Sequence, residues 1–436
     1  MSLPLSSLSS ELLLNILCSL SSPEDLYSAI TASSRLYRIF AKYRLSISAA
    51  ILLHAIPQNL EAVFLCAYRA QNIWKFVLEV NGPGTARRRR RQPEDQTRLE
   101  GLQQESQQIL EQSDSAQGGQ LQDIVSDSEL LPKLWRFYRK FEHFVRLYTE
   151  RALSALRQSL STIDGHGKTT VTEDTRLKRA FFRCEVFICL FQFSQTHGDT
   201  DFAAPKTDPG SIYLDRFSVW EIEEITCAVQ FYVGLIEELC EKIDDGFVST
   251  VKHKVATRAP SVKEEKLDDV EYWLDYFCLR WFEDHTKTSL RTCHTEYLVS
   301  RGMLAVWKLT HAPFQEMRKM MVRSDFLAHD QPSLMLQLVY ANGASNADTN
   351  PGWGWIWANG GLENAKWFQI GAGANCVLRN QGYVFWDKAR LEALEEYQAA
   401  RPEVKDRDAF PPPVTSRMRN HPVLGLSSKG FWFLGI

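Results

Sequence analysis

From Asp127 onward, large apolar residues recur every third or fourth position. They run Leu130-Leu134-Phe137-Phe141-Phe144, then Ala180-Cys184-Phe187-Leu190, then Ile222-Ile225-Val229-Val233-Ile236-Leu239. That period gathers side chains on one face of a 3.6-residue helix and scatters them in a strand. Val270 to Leu309 continues it through Trp273, Phe277, Trp281, Tyr297, Met303 and Trp307, with no proline or glycine before Gly302. Strand-like alternation is scarce, so the predicted fold class is all-α.

The same rules parse the start of the chain. Ser22-Pro23-Glu24-Asp25 sets an N-cap serine before a proline at the first helical position, with an acid three residues after the cap, and predicts a short helix from Pro23 to about Ala32. Ser33 and Ser34 can cap a third helix with Leu36, Ile39, Phe40 and Tyr43 on one face. Pro57 opens another through Phe64, Leu65 and Tyr68, which Asn81-Gly82-Pro83-Gly84 stops.

Residues 82–126 change character: Arg87 to Arg91 form an unbroken basic run, followed by Gln, Glu and Ser with few large apolar residues. Too little surface is available there to repay ordering entropy, so a disordered insertion is predicted. The run reads either as a nuclear-import or polyphosphate patch or as a solvated linker. Loops are expected at 164–174, 198–212 and 244–268. Asn342 to Gly382 is dense in glycine and tryptophan, and Pro411 to Pro413 marks an extended stretch. The expected organisation is an N-terminal unit 1–48, a helical connector 49–81, the insertion 82–126 and a helical body 127–436.

Several function classes are disfavoured. A net charge of −3 exerts no global pull on nucleic acid or acidic lipid. The nine cysteines form no Cys-x-x-Cys pairs with downstream partners, so neither structural zinc nor a disulfide scaffold is expected, and a reducing intracellular setting fits best. The first 20 residues lack the basic start of a secretory signal, and the longest apolar run, Phe181 to Phe193, carries Arg183 and Glu185 and is too short to span a bilayer. Gly165-His166-Gly167-Lys168-Thr169 ends like a phosphate loop but has Thr162 where the first glycine belongs, and Gly371-Ala372-Gly373 is incomplete as a dinucleotide fingerprint. Histidines are dispersed, and no nucleophile elbow or zinc helix occurs. No metal, cofactor or catalytic residue is predicted. Trp353-Gly354-Trp355-Ile356-Trp357 is the place for an aromatic-lined pocket if one exists.

Leu12, Leu13, Ile16, Leu17 and Leu20 form a stripe on the first helix, and three short helices offer little core of their own. Such a stripe needs a partner, either the body of this chain or another protein. The order Leu8-Ser9-Ser10-Glu11-Leu12, Ile16-Leu17, Leu20, Asp25-Leu26 and Ser33-Ser34-Arg35 resembles the F-box motif over about 40 residues. Ser9 stands where that motif usually has proline, and Leu36 where it commonly has an aromatic residue. Gly382-Tyr383-Val384-Phe385-Trp386-Asp387-Lys388-Ala389-Arg390-Leu391 is similar to the closing segment of fungal F-box proteins with long helical bodies. It reads as an aromatic anchor capped by Asp387 ahead of a helix carrying Leu391, Leu394 and Tyr397.

The resemblance implies a three-helix F-box that docks on the SKP-type adaptor of a cullin-RING ubiquitin ligase. The docking set it carries over is Leu8, Glu11, Leu12, Ile16, Leu17, Leu20, Leu26 and Arg35. The body would hold an unknown protein substrate, and ubiquitin transfer would be promoted by proximity, with no chemistry done by this chain. The competing expectation is an interaction protein whose F-box-like helices serve its own body or an adaptor outside any ligase.

Overall fold

The computed structural model describes residues 8–81, 120–159, 168–197, 209–258, 295–322, 350–358 and 379–392, with single positions at 104, 108–109, 111 and 338. The described residues are all-α, without a strand. In order they form α1 (Ser10–Cys18), α2 (Pro23–Ala32), α3 (Ser34–Ala55), α4 (Glu61–Asn81), α5 (Gln120–Ile124), α6 (Leu131–Ser159), α7 (Val171–His197), α8 (Pro209–Leu214), α9 (Val219–Arg258), α10 (Met303–His311), α11 (Phe314–Val322) and α12 (Pro351–Ala358). Among them no single helix is long and apolar enough to cross a membrane. The six cysteines described are all free thiols.

The predicted caps form as the residues dictate. Ser22 accepts from the Asp25 N–H at 3.0 Å and donates its hydroxyl to the Asp25 carboxylate at 2.8 Å, which sets the start of α2. Ser33 caps α3 through the Leu36 N–H. That third helix runs well past the expected boundary at 48 and ends at Ala55, with non-helical φ/ψ at Tyr43.

Two apolar cores result. The small one joins Leu13 and Leu17 of α1, Leu26 of α2, and Leu36, Ile39, Ile47 and Ile51 of α3. The large one starts on the next turn of the same helix, at Leu52 and Ala55, and continues through α4, α6, α7 and α9. The passage between units is therefore a continuous helix. Trp135 of α6 packs against both cores, and Arg146 of α6 lies 3.7 Å from Glu24 of α2.

The large core is aromatic. Phe141 and Phe182 stack at 3.8 Å, with Phe64, Phe137 and Phe181 at tilted or edge contacts around them. Phe137 and Phe141 sit on the periodic face that the spacing predicts, whereas Phe181 and Phe182 lie beside the predicted face of α7, which is buried more widely than its period alone indicated.

Three expectations are corrected. The insertion 82–126 contributes Ile109, Leu121 and Val125 to the large core, and α5 forms inside it. The Leu121 N–H reaches the Glu61 carboxylate at 3.5 Å, and the Cys66 thiol donates to the Ile109 carbonyl. An average over a Gln- and Ser-rich stretch hides a few apolar anchors that each bury completely. The loop expected at 244–268 is helical as far as Arg258, because α9 continues, and α8 forms within the loop expected at 198–212. Arg87 to Arg91, Trp273, Phe277, Trp281, Gly371 to Cys376, Leu394, Tyr397 and Pro411 to Pro413 lie outside the described residues.

Candidate functional site

At the N-terminus, Ser9 caps α1 by accepting from the Leu12 N–H at 3.3 Å. Backbone and Ser9 hydrogen bonds lower the pKa of the exposed Glu11 carboxyl. From there the 3.6-residue period splits the leucine stripe in two. Leu13 and Leu17 turn inward, whereas Leu12 and Ile16, one residue earlier on each turn, stand 51% and 37% exposed. Leu8 and Leu20 flank this outer ridge, partly buried on the small core. Arg35 donates to the Leu8 carbonyl at 2.6 Å and ties the start of α3 to the residue preceding α1.

Of the predicted docking set, then, Glu11, Leu12 and Ile16 face outward, Leu8, Leu20 and Arg35 are half-buried, and Leu17 and Leu26 are interior. The last two are buried in the core of the three-helix unit. The physical reason is that α3 covers the inner half of the stripe. The outer surface includes side chains that the stripe alone did not reveal: Tyr27 of α2, and Tyr37 and Leu45 of α3, are exposed. Five of the eight large apolar side chains exposed among the described residues therefore lie in the first 45 residues. Each such side chain would contribute on the order of 1.5–3 kcal/mol if a partner buried it fully.

A second concentration of chemistry, the buried ionic seam, was not legible in the sequence. It joins the C-terminal segment 379–392 to α6, α7 and α9. Thr170 caps α7 reciprocally with Glu173: the Glu173 N–H donates to the Thr170 hydroxyl at 3.1 Å, and the Thr170 N–H donates to the Glu173 carboxylate at 2.9 Å. That same buried carboxylate accepts from the Asp387 N–H at 3.0 Å and from two nitrogens of Arg390 at 2.9 and 2.8 Å. Burial pushes the Glu173 carboxyl up, but Arg390 and the two backbone donors outweigh it and hold it below the ordinary range.

A second buried pair joins the same segment to α9. Arg379 meets the Glu223 carboxylate at 2.7 and 2.9 Å, and the Tyr383 hydroxyl donates to the same carboxylate at 3.1 Å. Burial disfavours the Arg379 charge, and Glu223 more than restores it. Arg176 binds Asp387 at 2.9 Å, Arg183 binds Glu221 at 2.7 Å, and Arg179 binds Glu224 at 3.0 Å. The Tyr148 hydroxyl donates to the Arg379 carbonyl at 2.5 Å.

Within this seam the predicted aromatic anchor occupies the centre. Tyr383, Val384, Phe385 and Trp386 are buried, and Asp387 precedes the helical residues 388–392 as predicted. Gly382 adopts φ +69°, and a Cβ there would stand 2.9 Å from the Trp386 ring. The start of α12 comes closer still: a Cβ on Gly352 would meet the Tyr383 carbonyl at 2.2 Å, so only glycine admits that approach. Asn350 bridges the two by capping Gly352 and Trp353 and donating to the Val384 carbonyl at 2.9 Å. Trp353 is buried by this packing. Lys168, from the loop with the phosphate-loop resemblance, offers its carbonyl to Arg390 at 2.8 Å.

The seam is a set of paired charges, with the geometry of a clamp. Among the described residues no group of three or more His, Cys, Asp or Glu could hold a metal ion. Compared with protein-family models, with curated proteins and with solved structures, the chain gives no match.

Proposed function

We propose that the chain is the substrate-receptor subunit of an SCF-type ubiquitin ligase. The α1–α3 unit docks on the SKP-type adaptor, and the helical body holds a protein substrate. The observation that carries the reading is the outward ridge of Leu12 and Ile16 on a capped, separately cored three-helix unit, with Tyr27, Tyr37 and Leu45 also exposed on it. The residue order of the F-box resemblance supplies the identity of the partner. A receptor of this kind acts by holding substrate near the charged conjugating enzyme, which raises its effective concentration without catalytic groups of its own.

The test is co-purification of the intact chain with the adaptor and then with cullin, against Leu12→Asp and Ile16→Asp. These exposed positions place a charge in the apolar contact and leave the fold intact. Capture lost in both variants supports the docking face; capture unaffected in both, or absent with the intact chain, removes it. A second reading, an F-box-like unit serving its own body or an adaptor outside any ligase, draws on the packing of Trp135 against the small core and on the Glu24–Arg146 contact. Adaptor bound without cullin would favour it.

A further inference from the structure

Residues 131–147 of α6 carry Lys133, Arg136, Arg139, Lys140 and Arg146 against one acid, Glu142. Glu142 turns inward to the Tyr138 hydroxyl and Lys178. Lys133, Arg136, Lys140 and His143 are spaced three and four apart, so they share one side of the helix. α10 lays Trp307, Lys308 and His311 alongside. Lys140 Nζ stands 5.8 Å from the Trp307 ring centre, the His143 ring is 5.0 Å from Trp307 and 5.1 Å from His311, and Trp307 stacks on His311 at 3.7 Å.

The charges on this face are not neutralised from within. Elsewhere in the body Arg151, Arg176, Lys178, Arg179, Arg183, Arg379 and Arg390 each face a carboxylate. Among the described residues Lys133, Arg136, Arg139, Lys140 and Lys308 have no such partner. Burial, then Lys308 and Arg136, depress the Lys140 ammonium, and no acid opposes them. Burial, then His311 and Arg146, depress the His143 imidazole; only Glu150 acts the other way, and it lies 3.7 Å from Arg146. Like charges crowded together in a chain of net charge −3 carry a repulsive cost that an anionic ligand would relieve.

We propose that the α6–α10 face around Arg136, Lys140 and Lys308 is a docking site for an acidic peptide segment of a protein partner, with clustered carboxylate or phosphate side chains set among the cations. A peptide fits better than a nucleic acid. A non-specific duplex contact neutralises roughly 6–10 phosphates along a track, whereas this patch is compact. The Trp307 ring is already stacked on His311, so it is not free to stack a base. If the receptor reading holds, this is where the body meets substrate; the contact itself is independent of the adaptor and is measured with the chain alone.

The experiment is fluorescence anisotropy of the intact chain with four probes: a short Glu-rich peptide, the same peptide with phosphoserines, a neutral Ser version, and single-stranded DNA of similar length. Binding of either anionic peptide, and not the neutral one, is expected, weakening as salt is raised. Arg136→Gln with Lys308→Gln, both at exposed positions, should weaken it about tenfold, the loss of roughly one charge-assisted contact. Phosphopeptide alone binding would identify the anion as phosphate, and Glu peptide binding equally would identify clustered carboxylates as sufficient. No peptide binding, binding unchanged in the double variant, or DNA binding more tightly than both peptides would overturn the proposal. Failure to capture the adaptor would leave it standing, since no adaptor is present in the assay.

Discussion

The small N-terminal core and the large core of the body solve burial in opposite ways. In α1–α3 the fully buried apolar side chains are all aliphatic, from Leu13 and Leu17 to Ile47 and Ile51, with Phe40, Tyr43 and Trp135 only partly buried against them, and surplus apolar surface is left outside. The body packs aromatic rings and takes charge pairs in with them: Glu173 with Arg390, Glu223 with Arg379, Glu224 with Arg179. An aliphatic core holds helices together but specifies little about what lies over them. Paired buried charges add little net stability, yet they penalise every wrong register, because a misplaced segment strands a charge. The seam therefore fixes where residues 379–392 sit, more than 150 positions from their partners in α7 and α9, whereas the N-terminal unit leaves Leu12 and Ile16 exposed.

The sharpest way to break this contrast is Glu223→Leu, which strands Arg379. A loss of about 3–5 kcal/mol is expected from denaturant unfolding of the whole chain. An unchanged midpoint would mean that the C-terminal segment does not depend on the pair. Next comes Leu17→Ala, expected to cost about 2–5 kcal/mol because a fully buried aliphatic contact is lost. Here the loss should show as faster amide exchange confined to α1–α3, and body amides exchanging equally fast would show the two cores to be one cooperative unit.

Glu185 sharpens the comparison from the other side, as the body's buried acid with no basic partner. It accepts from the Met303 N–H at 2.8 Å, from Gln71 at 3.1 Å and from the Cys189 thiol, and burial lifts it to about 7. An acid held at about 7 in the folded protein and near 4.5 when unfolded binds its proton more tightly when folded. Its contribution is full below 4.5 and is lost as pH rises towards 7, on the order of 3 kcal/mol in all. Glu185→Gln should flatten stability across that window, since Gln71 can rotate its amide to pair with the new one. A variant as pH-dependent as the parent would assign the slope to another group. The smallest expected effect on stability is at Leu12→Ala or Ile16→Ala, within about 0.5 kcal/mol because both are exposed. A larger loss would show the outer ridge to be packed within this chain.

Much of this was legible because it is local. Capping is decided within four residues, so Ser22 and Ser33 announce their helix starts, whereas the Asp387 carboxylate ahead of residues 388–392 is taken by the distant Thr170 and Arg176. The three-to-four period fixes which side of each long helix turns inward, so Phe137, Phe141 and Phe144, like Ile225, Val229 and Ile236, are core as predicted. What failed locally was averaging: Ile109, Leu121 and Val125 bury inside a stretch whose mean composition is polar.

Near-neighbour rules account for most of the long helices, the serine caps of α2 and α3 and the existence of an apolar stripe at the N-terminus, because backbone hydrogen bonding and helical periodicity act over a few residues; they missed α5, α8 and the continuation of α9 to Arg258. The fold set which half of that stripe is surface, since this depends on α3 covering Leu13 and Leu17 while leaving Leu12 and Ile16 bare. It also decided which acids meet which arginines. Glu173 and Arg390, or Glu223 and Arg379, are solvated charges in a linear chain. Their pairing exists only where folding removes both from water at the same place.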